Sequence, residues 1–246
     1  MRPPRPALRL DLVPVGLFDG PWAVFWGPGG PGQAALFAWN RLEYLGPFRN
    51  LMAPSLAQRL DRSLAVLGTT TLIPVGILAL AWGQELLDAV LFGGHWNLPM
   101  VHGGSLLGVL TAPFSHSGFG HLISNSIAFL PLSWLVLLRG RRDYGAVWIG
   151  VYALAVPVWL WWPGASHGLS GVIYGLLGYL LVIGWLEKRF VSIVLSMLAV
   201  VAFGGMVPAL LPFLSPAGVS WIGHASGFVG GMLAALAIHR EATPQA

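Results

Sequence analysis

All-α and polytopic: the chain reads as a bundle of six helices crossing a bilayer. Three features carry that reading. Charged residues make up 9% of the 246 and hydrophobic residues 56%, against about 25% charge in a soluble domain, and mean hydropathy is +0.72. Six apolar stretches approach or reach the length needed to cross hydrocarbon, which takes about 20 residues of helix. Every lysine and arginine falls on one side of those six.

In chain order the predicted spans are 63–82, 121–138, 144–162, 168–186, 190–213 and 221–238. The third carries Pro157 and the fifth Pro208; both are tolerable where neighbouring helices satisfy the freed backbone groups. Arg2, Arg5, Arg9, Arg41, Arg49, Arg59 and Arg62 precede the first span. Arg139, Arg141 and Arg142 fall between the second and third, Lys188 and Arg189 between the fourth and fifth, and Arg240 at the end. The connections 83–120, 163–167 and 214–220 hold no Lys or Arg. The positive-inside rule makes the basic side cytoplasmic, with both termini there. The net charge of +4 and pI near 10.0 thus express topology, and nucleic acid is not an expected partner. With no cysteine, a disulfide, a thiolate nucleophile and a Cys metal site are all excluded.

Residues 1–62 read differently. The run Gly27-Pro28-Gly29-Gly30-Pro31-Gly32 suits neither helix nor strand. Trp22, Phe25 and Trp26 follow Asp19, Gly20 and Pro21, so the segment lacks the continuous apolar stretch of a signal peptide. It is expected to be a Gly/Pro-rich cytoplasmic tail, flexible or interfacial. Residues 63–240 form the core, and 241–246 a short C-terminal tail.

Topology places the polar residues. The second, fourth and sixth spans all begin on the extracytoplasmic side. His121 and Asn125 open the second, Gly168-Leu169-Ser170-Gly171 the fourth, and His224-Ala225-Ser226-Gly227 the sixth. Polar residues at membrane depth are functional suspects. A lone serine there usually bonds the preceding turn of its own helix; the combination at one depth is what points to chemistry. A serine hydroxyl needs a base before it attacks, and His224 suits that role. Asn125 and His121, four apart on one helix face, offer donors for an oxyanion, as do the free N–H groups opening the fourth span. Glu85 and Asp88, just past the first span, are the only extracytoplasmic carboxylates, so a Ser–His dyad is expected. Tyr174, one turn below Ser170, could pack on the histidine or be ordinary aromatic packing. Gly171 and Gly175, with Gly223, Gly227 and Gly231, are spaced for close helix approach.

These residues resemble the rhomboid family of intramembrane serine proteases. The GxSG motif is Gly168, Ser170 and Gly171, followed by Tyr174 and Gly175. The histidine motif HxxGxxxG is His224, Gly227 and Gly231, and HxxxxHxxxN is His116, His121 and Asn125. The resemblance covers about residues 63–240. It implies a six-helix rhomboid-like bundle with Ser170 as nucleophile and His224 as base. It implies that His121 and Asn125 serve the oxyanion, Tyr174 stacks on the histidine, and His116 holds the loop. The connection 83–120 would be half-submerged, and the fifth span, with Gly204, Gly205 and Pro208, a mobile gate. No metal or cofactor is implied. The expected substrates are single-pass transmembrane proteins with small residues at the cut, and the expected home is a bacterial inner membrane with lipids as neighbours. One departure is the absence of the Trp-Arg pair that many rhomboids carry in the first loop, which here reads Leu106-Leu107-Gly108-Val109-Leu110. Two other readings compete: a catalytically silent relative that binds membrane helices, and a transporter or metal site built from His116, His121, His167 and His224.

Overall fold

The computed structural model describes residues 56–242. Its helices are α1 (Leu56–Leu91), α2 (Leu107–Thr111), α3 (Phe119–Leu137), α4 (Arg141–Trp161), α5 (Ser170–Glu187), α6 (Phe190–Phe203) and α7 (Trp221–Ala242). Short 3-10 segments follow α2 at Ala112–Phe114 and α6 at Gly204–Leu210. Six stretches are long and apolar enough to cross a membrane: Thr70–Leu91, Phe119–Leu137, Arg141–Trp161, Ser170–Glu187, Phe190–Leu210 and Trp221–Glu241. The chain is an integral membrane protein.

The last five spans lie where the apolar pattern puts them, within a few residues. The first does not. Helix α1 runs nine residues past the expected end at Trp82, to Leu91. The reason is in its last two turns. Gln84, Glu85 and Asp88 look like loop residues but are buried, and two of them bond the backbone that follows. Asp88 accepts the Trp96 N–H at 2.6 Å, and Gln84 donates to the Trp96 carbonyl at 2.8 Å. Polar side chains that satisfy loop backbone extend the helix rather than end it. The expected 1–62 tail lies, apart from the first residues of α1, outside the described residues.

The fifth span also departs from a single helix. The α-helix stops at Phe203, and Gly204–Leu210 continues as a 3-10 segment. Two glycines in sequence weaken the helix, and Pro208 lacks the N–H an α-helix would use.

Helix α5 occupies the centre, packed against α7, α6, α3 and α4. Of its apolar window, 61% is enclosed by protein, against 17% for α4 and for α6. Leu176, Leu177, Leu180 and Ile183 meet Leu122, Phe129 and Leu132 of α3 in the core. Lipid tails are as apolar as leucine, so this packing rests on fit and close approach. The glycines supply that approach. A β-carbon on Gly227 would collide with the Gly171 carbonyl, one on Gly231 with the Gly175 carbonyl, and one on Gly230 with Gly150 of α4. Helix α7 therefore lies backbone-to-backbone against both α5 and α4.

At the basic end, Arg139 ties three helices. Its guanidinium bonds Glu187 at 2.7 Å, Asp143 at 3.3 Å, Tyr179 at 2.9 Å and Ser192 at 2.8 Å. Burial works against its charge, but the bonds to Glu187 and Tyr179 outweigh it and hold the guanidinium above its ordinary range.

Between α1 and α3 the chain folds back over the bundle. Strand β1 (Met100–Val101) pairs antiparallel with β2 (Ala165–Ser166), Met100 opposite Ser166. The His102 N–H bonds the Gly164 carbonyl at 3.0 Å, and the Trp159 indole donates to Gly104 at 3.2 Å. These bonds fasten the first loop to the end of α4 and to the segment entering α5.

Candidate active site

Ser170 is the first residue of α5, and His224 stands one turn into α7. Because the two helices touch through glycines, their side chains meet. Ser170 Oγ lies 3.0 Å from His224 Nε2, inside hydrogen-bond range for a hydroxyl donating to a neutral imidazole. The other ring nitrogen, Nδ1, sits 3.3 Å from the Ala209 carbonyl. A carbonyl only accepts, so this contact selects the tautomer with the proton on Nδ1 and leaves Nε2 free to accept.

Tyr174 stacks on the imidazole, with ring centroids 4.3 Å apart and planes 27° apart. Its hydroxyl donates to the Met206 carbonyl at 2.8 Å. Both carbonyls belong to the 3-10 segment Gly204–Leu210. One short piece of backbone thus fixes the imidazole directly and the aromatic ring beneath it. Sequence reasoning missed Met206 and Ala209. The clue was the Gly204-Gly205 pair and Pro208, which mark irregular backbone without saying where its carbonyls point.

The loop entering α5 is built around Gly168. Its φ of +101° is one that side-chain-bearing residues avoid. A β-carbon there would stand 2.8 Å from His121 Cε1 and 3.2 Å from Asn125 Nδ2. Glycine lets the backbone beside Ser170 lie directly on those two side chains. The Gly168 N–H bonds the Ala112 carbonyl at 2.8 Å, and the Leu169 N–H donates to His116 Nε2 at 3.3 Å. Burial, and the neighbouring His121 and His167, push the His116 imidazole down to about 4. It is therefore neutral near pH 7, as an acceptor must be. Burial, and then His121, also lower His167.

The residues expected to serve an oxyanion are close but not equivalent. His121 lines a cavity of about 600 Å³ together with Ser170 and His224. Ser117 Oγ lies 3.2 Å from His121 Nδ1. Asn125 is buried behind Gly168, and its Nδ2 has no hydrogen-bond partner. A buried amide donor without an acceptor is uncommon, and here it sits beside the serine loop. Glu85 and Asp88 bond the first loop, not His224. His116 meets His121 edge-on with centroids 5.1 Å apart, and His167 meets His121 at a tilt with centroids 6.1 Å apart, but the three form no set able to hold a metal among the described residues.

Residues 103–241 match the family model of the rhomboid domain. The chain belongs to the rhomboid family. An uncharacterized protein of Mycobacterium tuberculosis is 33% identical over 183 residues, covering 69% of this chain and 75% of that protein. An uncharacterized protein of Mycobacterium leprae is 32% identical over 146 residues, or 53% of this chain and 55% of that one. A mimivirus protein whose name refers to the rhomboids is 28% identical over 140 residues, covering 52% of this chain and 72% of its own length. No solved structure matches the chain significantly.

In this rhomboid the first loop reads Leu106-Leu107-Gly108-Val109-Leu110, without a Trp-Arg pair, and other contacts hold it. Gln84 and Asp88 grip the Trp96 peptide, and Ser115 Oγ accepts the Leu98 N–H at 2.9 Å. A β-carbon on Gly108 would stand 2.6 Å from the Pro99 carbonyl, so α2 lies directly on the strand before it.

Proposed function

We propose that this rhomboid is an intramembrane serine endopeptidase that cleaves single-pass transmembrane proteins near the extracytoplasmic face. The observation that carries the reading is the Ser170–His224 contact of 3.0 Å, with Nδ1 already committed to a carbonyl. His224 Nε2 takes the Ser170 proton as the hydroxyl attacks the scissile carbonyl carbon. The tetrahedral oxyanion is met by N–H groups at the start of α5 and by His121, with Asn125 Nδ2 as a further donor. The imidazolium then protonates the leaving amine, and a water repeats the sequence to release the acyl group. Ala209 stands where many serine hydrolases place a carboxylate, orienting the ring without adding a charge. The positive-inside rule supports cytoplasmic termini and a site facing the opposite side, consistent with a bacterial inner membrane.

The test is fluorophosphonate labelling of the detergent-solubilised full chain beside Ser170→Ala and His224→Ala. Labelling of the wild type alone is expected. Equal labelling of folded Ser170→Ala overturns the assignment of Ser170, and no labelling of folded wild type overturns the reading and leaves a silent helix-binding relative.

A further inference from the structure

Helix α5 ends in a left-handed turn at Lys188, φ +53°, the one non-glycine residue with positive φ among the described residues. Glycine or asparagine normally takes this position after a helix, because a β-carbon is disfavoured there. The lysine lines a groove of about 650 Å³ between the C-terminal half of α5 and the length of α6 from Ile193 to Val201. The groove walls are apolar, chiefly Leu181, Trp185, Met197 and Val200, and Lys188 is their only charged member. Trp185 and Met197 are 80% and 61% exposed, so the groove opens on the lipid-facing surface.

No carboxylate among the described residues pairs with Lys188. The adjacent carboxylate, Glu187, is taken by Arg139 at 2.7 Å and by Ser192. The groove floor is fixed. Ser196 Oγ donates to the Leu180 carbonyl, and the Ser192 carbonyl lies 2.8 Å from where a Gly184 β-carbon would be. The cation stands at the end of the bundle that gathers the basic residues, the end a spanning bundle presents to anionic headgroups.

An apolar channel along two helices, closed at the membrane surface by one free cation, is complementary to an acyl chain joined to an anionic headgroup. We propose that this groove is a binding site for one anionic glycerophospholipid, its acyl chain between α5 and α6 and its phosphate on Lys188. The site is separate from Ser170, so it stands or falls independently of the protease reading.

The test is native mass spectrometry of the full chain in mild detergent with equal dioleoyl phosphatidylglycerol and dioleoyl phosphatidylcholine. Wild type is expected to retain the anionic lipid about fivefold over the zwitterionic one. Lys188→Gln should abolish the preference, Lys188→Arg keep it, and Met197→Trp, which fills the groove, reduce retention of both lipids. Arg141→Gln, an exposed basic residue at the same end, should leave it unchanged. Equal retention of both lipids by wild type, a preference that survives Lys188→Gln, or an equal loss in Arg141→Gln overturns the proposal.

Discussion

Helices α5 and α7 meet backbone-to-backbone through glycines, whereas the 3-10 segment after α6 meets them through carbonyls that His224 and Tyr174 bond. The first contact has no slack, since any side chain would part the helices. The second rests on two hydrogen bonds and a stacked ring. Ser170 and His224 are thus set by a rigid seam, while the orientation of the imidazole is set by a lighter, removable brace. Placement and orientation are separate physical problems here, answered by different parts of the fold.

The seam is the place to break this contrast most severely. Gly227→Val should prevent stable folding, because its β-carbon collides with main chain that cannot move aside. Loss of the monodisperse peak and of any thermal transition would show it, and a folded, labelled variant would refute a backbone-tight seam. Next comes Ser170→Ala. It should remove substrate cleavage by about 10³-fold or more and leave the unfolding midpoint in place, since no packing depends on the hydroxyl.

The opposite end of the bundle offers a purely structural counterpart. Arg139→Gln strands buried Asp143 and half-buried Glu187, carboxylates that now share its guanidinium. Breaking such a network costs about 3 kcal/mol, read as a lowered denaturation midpoint. The brace comes next. Tyr174→Phe keeps the stack on His224 but loses the bond to Met206. Turnover should fall about tenfold with unchanged thermal stability. An equal fall in stability would mean the phenol serves the fold rather than the ring.

A further effect concerns pH. Folded His116 titrates near 4 and an unfolded histidine near about 6.5. Between those values the unfolded chain binds a proton that the folded chain refuses. Stability should therefore be full above about pH 7 and decline as pH falls from about 6.5 towards 4. His116→Gln, which retains an acceptor for the Leu169 N–H, should flatten part of that decline in a midpoint-versus-pH series.

Much of this architecture was legible in the residues. Span positions and one-sided charge put Ser170, His224, His121 and Asn125 in one layer, since helix length and the cost of burying charge in lipid leave few alternatives. The end of α1 was not legible. Glu85 and Asp88 look like loop in any hydropathy reading, and only the folded loop reveals what Asp88 and Gln84 bond. Nor could the sequence foretell Met206 and Ala209, because main-chain acceptors belong to every residue alike. The short strand pair between Met100 and Ser166 escaped for a similar reason: two residues carry no periodicity.

The brace from the 3-10 segment has one more consequence. Because it is made of main chain, its composition can drift wherever the turn set by Gly204, Gly205 and Pro208 is kept, while its length cannot. Substitutions between 204 and 210 that keep the turn would pass unnoticed, whereas inserting or deleting a single residue would swing both carbonyls away from α5 and α7. Tolerance of exchange beside intolerance of length change is the trace this device would leave among descendants of the chain.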